Sequence, residues 1–132
     1  MEQRGINMGE MGPILRATQQ LGVQPIDIVY YKDDAETRIL ARNLAAVFSA
    51  WKIMLYEVPG GQSHQVDVSY DPKDNEAKDR ATAIFDALRA TNKLRMGGPW
   101  SNLPHDIQGV APNSFTPPPD ATIRISVGYR LR

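Results

Sequence analysis

The sequence predicts an α+β domain in which helices cover one face of a mixed sheet. Two helical patterns with apolar stripes alternate with short β-branched and aromatic segments, and a strictly alternating segment lies near the end. After a short N-terminal helix the order is βαββαβ, which a two-layer sandwich of ferredoxin-like order satisfies. Each strand-helix-strand step then forms a right-handed crossover, and a long proline-rich loop precedes the last strand.

The chain begins with a segment that has no apolar period. Residues 1–12 hold glycines and methionines in no regular order, so we predict a flexible leader followed by one domain over 13–132. Pro13 suits the first position of a helix, apolar residues follow at helical spacing, and Gly22 comes just after them. A short helix is therefore predicted over about 13–21.

The first strand and the first long helix follow directly. Residues 26–31 are β-branched and aromatic, which is typical of a strand. Asp33, with Glu36 three residues later, forms a capping-box pattern that predicts a helix start. The helix is expected to run to about Ala50, and its core stripe consists of Leu40, Leu44, Val47, Phe48 and Trp51.

Two further strands are predicted on either side of a glycine-rich turn. Residues 51–58 form a nearly continuous apolar run, and the segment 59–63 turns the chain. Residues 66–70 alternate, so that Asp67 and Ser69 point to a wet face. A short link of this kind suits antiparallel strands.

The second long helix repeats the pattern of the first. Asp71 and Pro72 match an N-cap followed by proline at the first helical position, and the helix is expected to reach about Thr91. The stripe that begins at Leu40 recurs from Ala77, 37 residues later. Two amphipathic helices that cover one sheet explain this spacing without a duplication.

The C-terminal part combines a strand with an unusual loop. Residues 93–96 are predicted to form a short edge strand, and 122–127 alternate strictly and form the last strand. The loop 97–121 between them holds six of the ten prolines together with scattered apolar residues. It is longer than ordinary connections inside a compact domain, so it either lies against the sheet as a structural cover or binds a partner.

Composition excludes several classes of protein. The chain has 132 residues, of which 42% are hydrophobic and 23% charged, as is usual for one globular domain. Fifteen basic and fifteen acidic residues cancel, which disfavours nucleic acid as a partner. Cysteine is absent and no apolar run is long enough to span a bilayer. Neither His64 nor His105 shows metal-ligand spacing, so no metal or cofactor is expected.

Candidate binding residues come from the loop and from the ends of two strands. Trp100, His105 and Phe115 lie along the loop, and Asp33 and Asp71 follow strands whose ends a crossover fold can bring together, although helix capping explains both acids equally well. His105 and Asp106 could serve a serine nucleophile, but adjacent residues rarely orient one another in that way. We therefore predict no catalytic residue.

The chain resembles a family in several short segments. These are 15–21, 23–30, the Asp-Ala-Glu start of the first long helix, 48–53 and 123–128. Together they resemble the C-terminal soluble domain of small bacterial membrane-anchored proteins of unknown function, over about residues 14–130. The strand-helix order is also similar to LytR C-terminal-type domains, but Tyr31-Lys32-Asp33 replaces the Asn-Gly turn common after their first strand. The resemblance implies a tethered accessory or sensory module, with 1–13 as the remainder of an anchored segment.

These observations favour a non-enzymatic interaction or ligand-sensing domain of a bacterial membrane-associated protein. The expected partner is a protein or a small ligand, homo-oligomerisation stays open, and the expected location is the inner membrane, on either side. One alternative is a small hydrolase-like enzyme that uses residues of the 97–121 loop. Another is a nucleic-acid-binding ferredoxin-like domain, which the zero net charge disfavours.

Overall fold

A computed structural model describes residue 6 and residues 8–19, 25–48, 52–58, 63–101 and 121–129. This part of the chain contains three helices and five strands. They are, in order, α1 (Met8–Thr18), β1 (Pro25–Tyr31), α2 (Ala35–Val47), β2 (Lys52–Val58), β3 (Val66–Tyr70), α3 (Ala77–Arg89), β4 (Met96–Trp100) and β5 (Ile123–Val127).

The strands form one mixed sheet in the order β2-β1-β5-β3-β4. β1 is parallel to β2 and β5, whereas β3 is antiparallel to β5 and parallel to β4. Two βαβ units, β1-α2-β2 and β3-α3-β4, therefore run in opposite directions on either side of β5. The α+β class and the mixed sheet are confirmed. The ferredoxin-like order is not confirmed, because β1 and β2 are direct neighbours here and a split βαβ unit needs a strand between them.

The helices pack on one face of this sheet, which we call the helical face. Because successive strand residues point to opposite sides, one set of alternate residues meets the helices and the other forms the reverse face. Ile26 and Ile28 of β1 are fully buried on the helical face, whereas Asp27 and Val29 lie on the reverse face. The main core also contains Leu40, Leu44, Phe48, Val66, Val68, Ile84, Leu88, Ile123, Ile125 and Val127.

Helix α1 begins earlier than the sequence predicts. It starts at Met8, so Pro13 lies inside it, and the buried Thr18 hydroxyl donates to the Ile14 carbonyl at 2.9 Å. Ile6 is buried in the core, and the Asn43 amide of α2 bonds both its backbone N–H and its carbonyl. The predicted boundary between leader and domain at residue 12 therefore falls within a helix that packs into the core.

Both long helices have caps that differ from the predicted ones. The N-cap of α2 is Asp34, whose carboxylate accepts from the Thr37 N–H at 2.9 Å, while Asp33 has a left-handed φ of 63°. Helix α3 starts at Ala77 rather than at Pro72. Two Asx turns occupy the intervening segment, since Asp71 accepts from the Lys73 N–H at 2.9 Å and Asp74 accepts from the Glu76 N–H at 3.0 Å.

The first strand and five buried helix positions of the two βαβ units correspond at a spacing of 40 rather than 37, although Arg80 stands at the equivalent of the buried Leu40. The strand segment Ile26-Asp27-Ile28 matches Val66-Asp67-Val68, since 66 − 26 = 40. The buried positions of the helices match at the same spacing, with Thr37, Ala41, Leu44, Val47 and Phe48 corresponding to Ala77, Ala81, Ile84, Ala87 and Leu88. The 37-residue spacing predicted from the sequence instead matches each apolar residue of α2 with a residue of α3 that lies about one helical turn away from its packing equivalent.

Strand β4 occupies the first residues of the predicted loop. It spans Met96–Trp100 instead of 93–96, because Gly97 and Gly98 allow the chain to pair closely with β3. A side chain at Gly97 would overlap those of Gln65 and Asp67, and Gly98 has a φ of 103°. The remaining loop residues 102–120 lie outside the described part of the chain, and β5 matches the predicted last strand closely.

Candidate functional site

The reverse face of the sheet carries two polar centres at equivalent positions of the two βαβ units. Asp27 of β1 faces Arg124 of β5, and Asp67 of β3 faces Ser126 of the same strand. Arg124 is in turn opposite Ser69. Strand β5 therefore separates the two aspartates, and each has its own surroundings.

The first centre is a buried ion pair. Asp27 is only 2% exposed, and Nη2 of Arg124 donates to its Oδ2 at 3.4 Å. Tyr56 of β2 lies beside the pair, and its pKa is raised to about 12 by burial and by the charge of Asp27, against an opposing effect of Arg124. Because both charges are withdrawn from water, this centre is suited to holding strands together.

The second centre is the Asp67 carboxylate with three neutral donors. Its Oδ1 accepts from Nε2 of Gln65 at 2.7 Å and from the indole Nε1 of Trp100 at 3.0 Å, and its Oδ2 accepts from Oγ of Ser63 at 3.3 Å. Within the described residues no lysine, arginine or histidine forms an ion pair with Asp67. The carboxylate is thus held in place, and no basic side chain in the described part of the chain compensates its negative charge.

Trp100 adds an exposed aromatic ring to this centre. It is the last residue of β4, pairs with Ser69 of β3, and is 48% exposed. Its N–H is already used by Asp67, so the indole is oriented while the surface of its ring stays accessible. An aromatic ring held in this way is a preformed contact surface.

An aromatic group lies at the same end of the sheet. The rings of Tyr31 and Tyr129 have centroids 4.3 Å apart, and His64 lies 6.2 Å from Tyr129. Burial raises the pKa of Tyr31, a hydrogen bond to the Ser63 backbone acts in the opposite direction, and Tyr129 and Asp67 raise it further. The Tyr31 group and the Asp67 centre therefore share one surface, which we call the Asp67–Trp100 surface.

A pocket of about 230 Å³, which shares Tyr31 with the Asp67–Trp100 surface, lies where β1 and β2 end and α2 begins. It contains Asp33, one of the predicted binding residues, together with Tyr30, Tyr31, Lys32, Asp34, Ala35, Arg38 and Glu57. The pKa of Tyr30 is raised, mainly by burial and then by Glu57, whereas Arg42 and Arg38 act in the opposite direction. Charges of both signs line this pocket, so its electrostatics select neither a cation nor an anion.

The other predicted residues are distributed widely. The expectation that Asp33 and Asp71 converge is wrong, because β1 and β3 are antiparallel and their carboxyl ends lie at opposite ends of the sheet. The Asp71 N–H donates to the Thr122 carbonyl, just before β5. His105, Phe115 and Asp106 lie outside the described residues. Of the predicted binding residues, Trp100 is the one that belongs to the Asp67–Trp100 surface.

Sequence patterns alone do not predict Asp67, Gln65, Ser63 or the tyrosine pair as site residues. The alternation over 65–69 placed the polar residues of β3 on one face, but it could not reveal that β4 brings Trp100 onto the same face. The 40-residue correspondence was the available signal, since it singles out Asp27 and Asp67 as equivalent acids in the middle of apolar strands.

Comparison with known proteins adds no assignment: no protein family, curated protein or solved structure matches the chain. In the described ranges no three histidine or acidic side chains are grouped so that they could hold a metal ion. No helix among these residues has the length and apolar character needed to cross a membrane. The candidate site is therefore inferred from the geometry of the described residues alone.

Proposed function

We propose that this domain is a non-enzymatic binding module that recognises a cationic organic group at the Asp67–Trp100 surface. The observation that carries the proposal is the pairing of an uncompensated carboxylate with an exposed, oriented indole. An ammonium or guanidinium group gains Coulomb energy from the carboxylate and is attracted to the face of a tryptophan ring. A lysine or arginine side chain of a partner protein has this chemistry.

Preorganisation favours this surface over the pocket at the start of α2. Three hydrogen bonds already fix the Asp67 carboxylate, and the same network fixes the Trp100 ring, so little conformational freedom is lost on binding. Tryptophan and tyrosine are also the residues most often found as energetic anchors of interfaces. A cation bound here would meet the indole ring and the carboxylate together.

The hydrolase-like alternative concerns the 97–121 loop, of which residues 102–120 lie outside the described part of the chain, and the serine and histidine beside Asp67 give a hydrolase no support. The Ser63 hydroxyl bonds Asp67 and the Gln65 carbonyl, and a carboxylate alone is a weak base for activating serine. His64 contacts the Tyr129 ring, and no hydrogen bond joins it to a serine in this part of the chain. A binding role uses the same residues without requiring a proton relay.

The resemblance described above supports a context for this binding. We propose that the domain is an accessory or sensory part of a bacterial membrane-associated protein, where recognition of a cationic partner would report on the envelope. The cellular location of the domain and the binding chemistry of the Asp67–Trp100 surface do not depend on each other.

A two-dimensional ¹H–¹⁵N NMR titration with the peptide acetyl-Gly-Arg-Gly-amide tests the site. We expect saturable shifts at Trp100, Asp67 and Gln65, and no saturable shifts with acetyl-Gly-Gln-Gly-amide. Trp100→Ala should weaken binding about fivefold to thirtyfold, as a cation-ring contact of about 1–2 kcal/mol implies. Met54→Ala removes another exposed apolar side chain of the reverse face and is the matched control. Equal shifts with both peptides would refute the proposal.

A further inference from the structure

The two edges of the sheet differ in how well they are protected against pairing with another strand. β4, at one edge, is five residues long, contains two glycines and Pro99, and has a register shift opposite Asp67 and Ser69. Proline lacks the N–H that a new neighbour needs, and a bulge bends the strand. This edge is blocked by its own backbone.

β2, at the other edge, has none of these features. It is seven residues long, contains neither proline nor glycine, and pairs with β1 in unbroken register from Lys52 to Val58. No described strand lies beyond it. Such an edge offers a regular row of backbone donors and acceptors to a further strand.

The side chains of β2 favour an apolar neighbour. Met54 is 43% exposed on the reverse face, and Leu55 is 39% exposed on the helical face. Two exposed apolar side chains therefore lie on opposite sides of the middle of the edge strand. A strand added here would shield both of them from water.

The backbone direction identifies the groups that would pair. The Val58 carbonyl accepts from the Lys32 N–H at 2.6 Å, so Val58 points toward β1. In a parallel strand the backbone N–H and C=O groups of alternate residues point in the same direction. The backbone groups of Met54 and Tyr56 therefore also point toward β1. Ile53, Leu55 and Glu57 then direct their N–H and C=O groups outward.

We propose that the β2 edge pairs with the β2 edge of a second copy of this chain, antiparallel about a two-fold axis at Leu55. A two-fold axis normal to the sheet keeps like faces on the same side, so Leu55 meets Leu55 and Met54 meets Tyr56 of the other copy. Each outward-directed residue then lies opposite another outward-directed residue over the whole strand. The two sheets join into one continuous sheet with a closed, isologous interface.

Charge selects the antiparallel arrangement. Lys52 and Glu57 are exposed near opposite ends of β2. Antiparallel pairing about Leu55 places Lys52 opposite Val58 of the other copy on the reverse face and Glu57 opposite its Ile53 on the helical face, so that no two like charges lie opposite each other. Parallel pairing would instead place Lys52 beside Lys52 and Glu57 beside Glu57, which is unfavourable.

Sedimentation equilibrium on the whole chain between about 1 and 200 µM tests the proposal. We expect a dimer of twice the 14.7 kDa chain mass. Leu55→Lys should raise the dimer dissociation constant at least about a hundredfold, because it places two like charges opposite each other at the axis. Met54→Lys tests the other face of the same strand. Leu15→Lys changes an exposed apolar residue of α1, away from the edge, and should leave the dimer intact.

Amide hydrogen exchange supplies a second readout that does not depend on the variants. In the dimer the outward amides of Ile53, Leu55 and Glu57 should be protected as strongly as the inward amides of Met54 and Tyr56. Dilution to the monomer should speed exchange of the outward set alone. A monomer throughout the concentration range, or a dimer with fast exchange at all three outward amides, would overturn the proposal. A folded Leu55→Lys variant that stays dimeric would also overturn it.

Discussion

The two βαβ units place an aspartate at the same strand position and surround it differently. In the first unit Asp27 is buried and forms an ion pair with Arg124, whereas in the second unit Asp67 accepts from neutral donors and lies beside the exposed Trp100. The neighbouring strands account for the difference. Asp27 lies in the three-strand parallel part of the sheet, while Asp67 lies next to β4, where Gly97 leaves room for the Gln65 amide. One repeated position thus holds a buried ion pair in the first unit and, in the function proposed above, a cation-binding carboxylate in the second.

The two aspartates should differ strongly in how much each contributes to the free energy of unfolding. Asp27→Asn leaves the Arg124 charge buried without its counterion and should lower the free energy of unfolding by about 3–5 kcal/mol. Asp67→Asn keeps the acceptor for Trp100 and Gln65, so its cost should be about 1 kcal/mol or less. Urea unfolding midpoints measure both. Equal losses for the two variants would remove the distinction between the units.

The next effect tests whether the units are equivalent in the core. Leu44 and Ile84 correspond at the 40-residue spacing and both are fully buried. Leu44→Ala and Ile84→Ala should each cost about 2–5 kcal/mol, because each leaves a cavity between helix and sheet. Arg89→Ala, at the exposed end of α3, is the control and should change stability by less than about 0.5 kcal/mol. A small loss at one core position alone would contradict the correspondence.

Alkaline pH should affect the first unit selectively. The folded-state pKa of Tyr56 is raised to about 12 from 10.0, so its contribution to stability is fully present below pH 10 and is lost as the pH rises toward 12. Tyr56→Phe should flatten the dependence of unfolding free energy on pH in this window. The corresponding position in the second unit is Trp100, which pairs with Ser69 as Tyr56 pairs with Val29, and its indole does not titrate. If the unfolding free energy of Tyr56→Phe depends on pH as strongly as that of the wild type, another group causes the loss of stability at alkaline pH.

The smallest effect concerns the two helix starts. Asp34 caps α2 by accepting from the Thr37 N–H, so Asp34→Ala should cost about 1 kcal/mol. Asp74, the corresponding residue of the second unit, accepts within a turn before α3, and Asp74→Ala should cost less. Thermal unfolding of the two variants compares them. A larger loss for Asp74→Ala would place the cap of α3 on that residue.

Local patterns predicted the elements better than their arrangement. The strand over 26–31, the alternating strand near the C-terminus and the stripes of both helices come from periodicity, which burial enforces directly. Strand order could not be predicted in this way, since the same patterns fit either a split or an adjacent βαβ unit. Helix α1 begins before Pro13 because Ile6 and Asn43 bind its N-terminal side into the core, a contact between residues 37 positions apart.

The candidate site was predicted only in part, because strand pairing brings its residues together and local sequence patterns do not predict that pairing. The sequence predicts Trp100 as a binding residue of the loop, but its partner Asp67 is 33 positions away in sequence and comes into contact only through the pairing of β3 with β4. Asp33 and Asp71 were sensible candidates as acids after strands. Their separation follows from the antiparallel relation of β3 to β5, which no local signal encodes.

Asp67, unlike Asp27, has no basic partner among the described residues, and we propose that it attracts a cation. The most direct measurement follows the Trp100 indole N–H resonance while acetyl-Gly-Arg-Gly-amide is added to the wild-type chain and to Asp67→Asn. The account predicts a saturable shift in the wild type and its loss in Asp67→Asn, with the remaining spectrum of the variant unchanged. A shift of the same size and affinity in a folded Asp67→Asn would contradict the account, because the carboxylate charge would then contribute nothing to recognition.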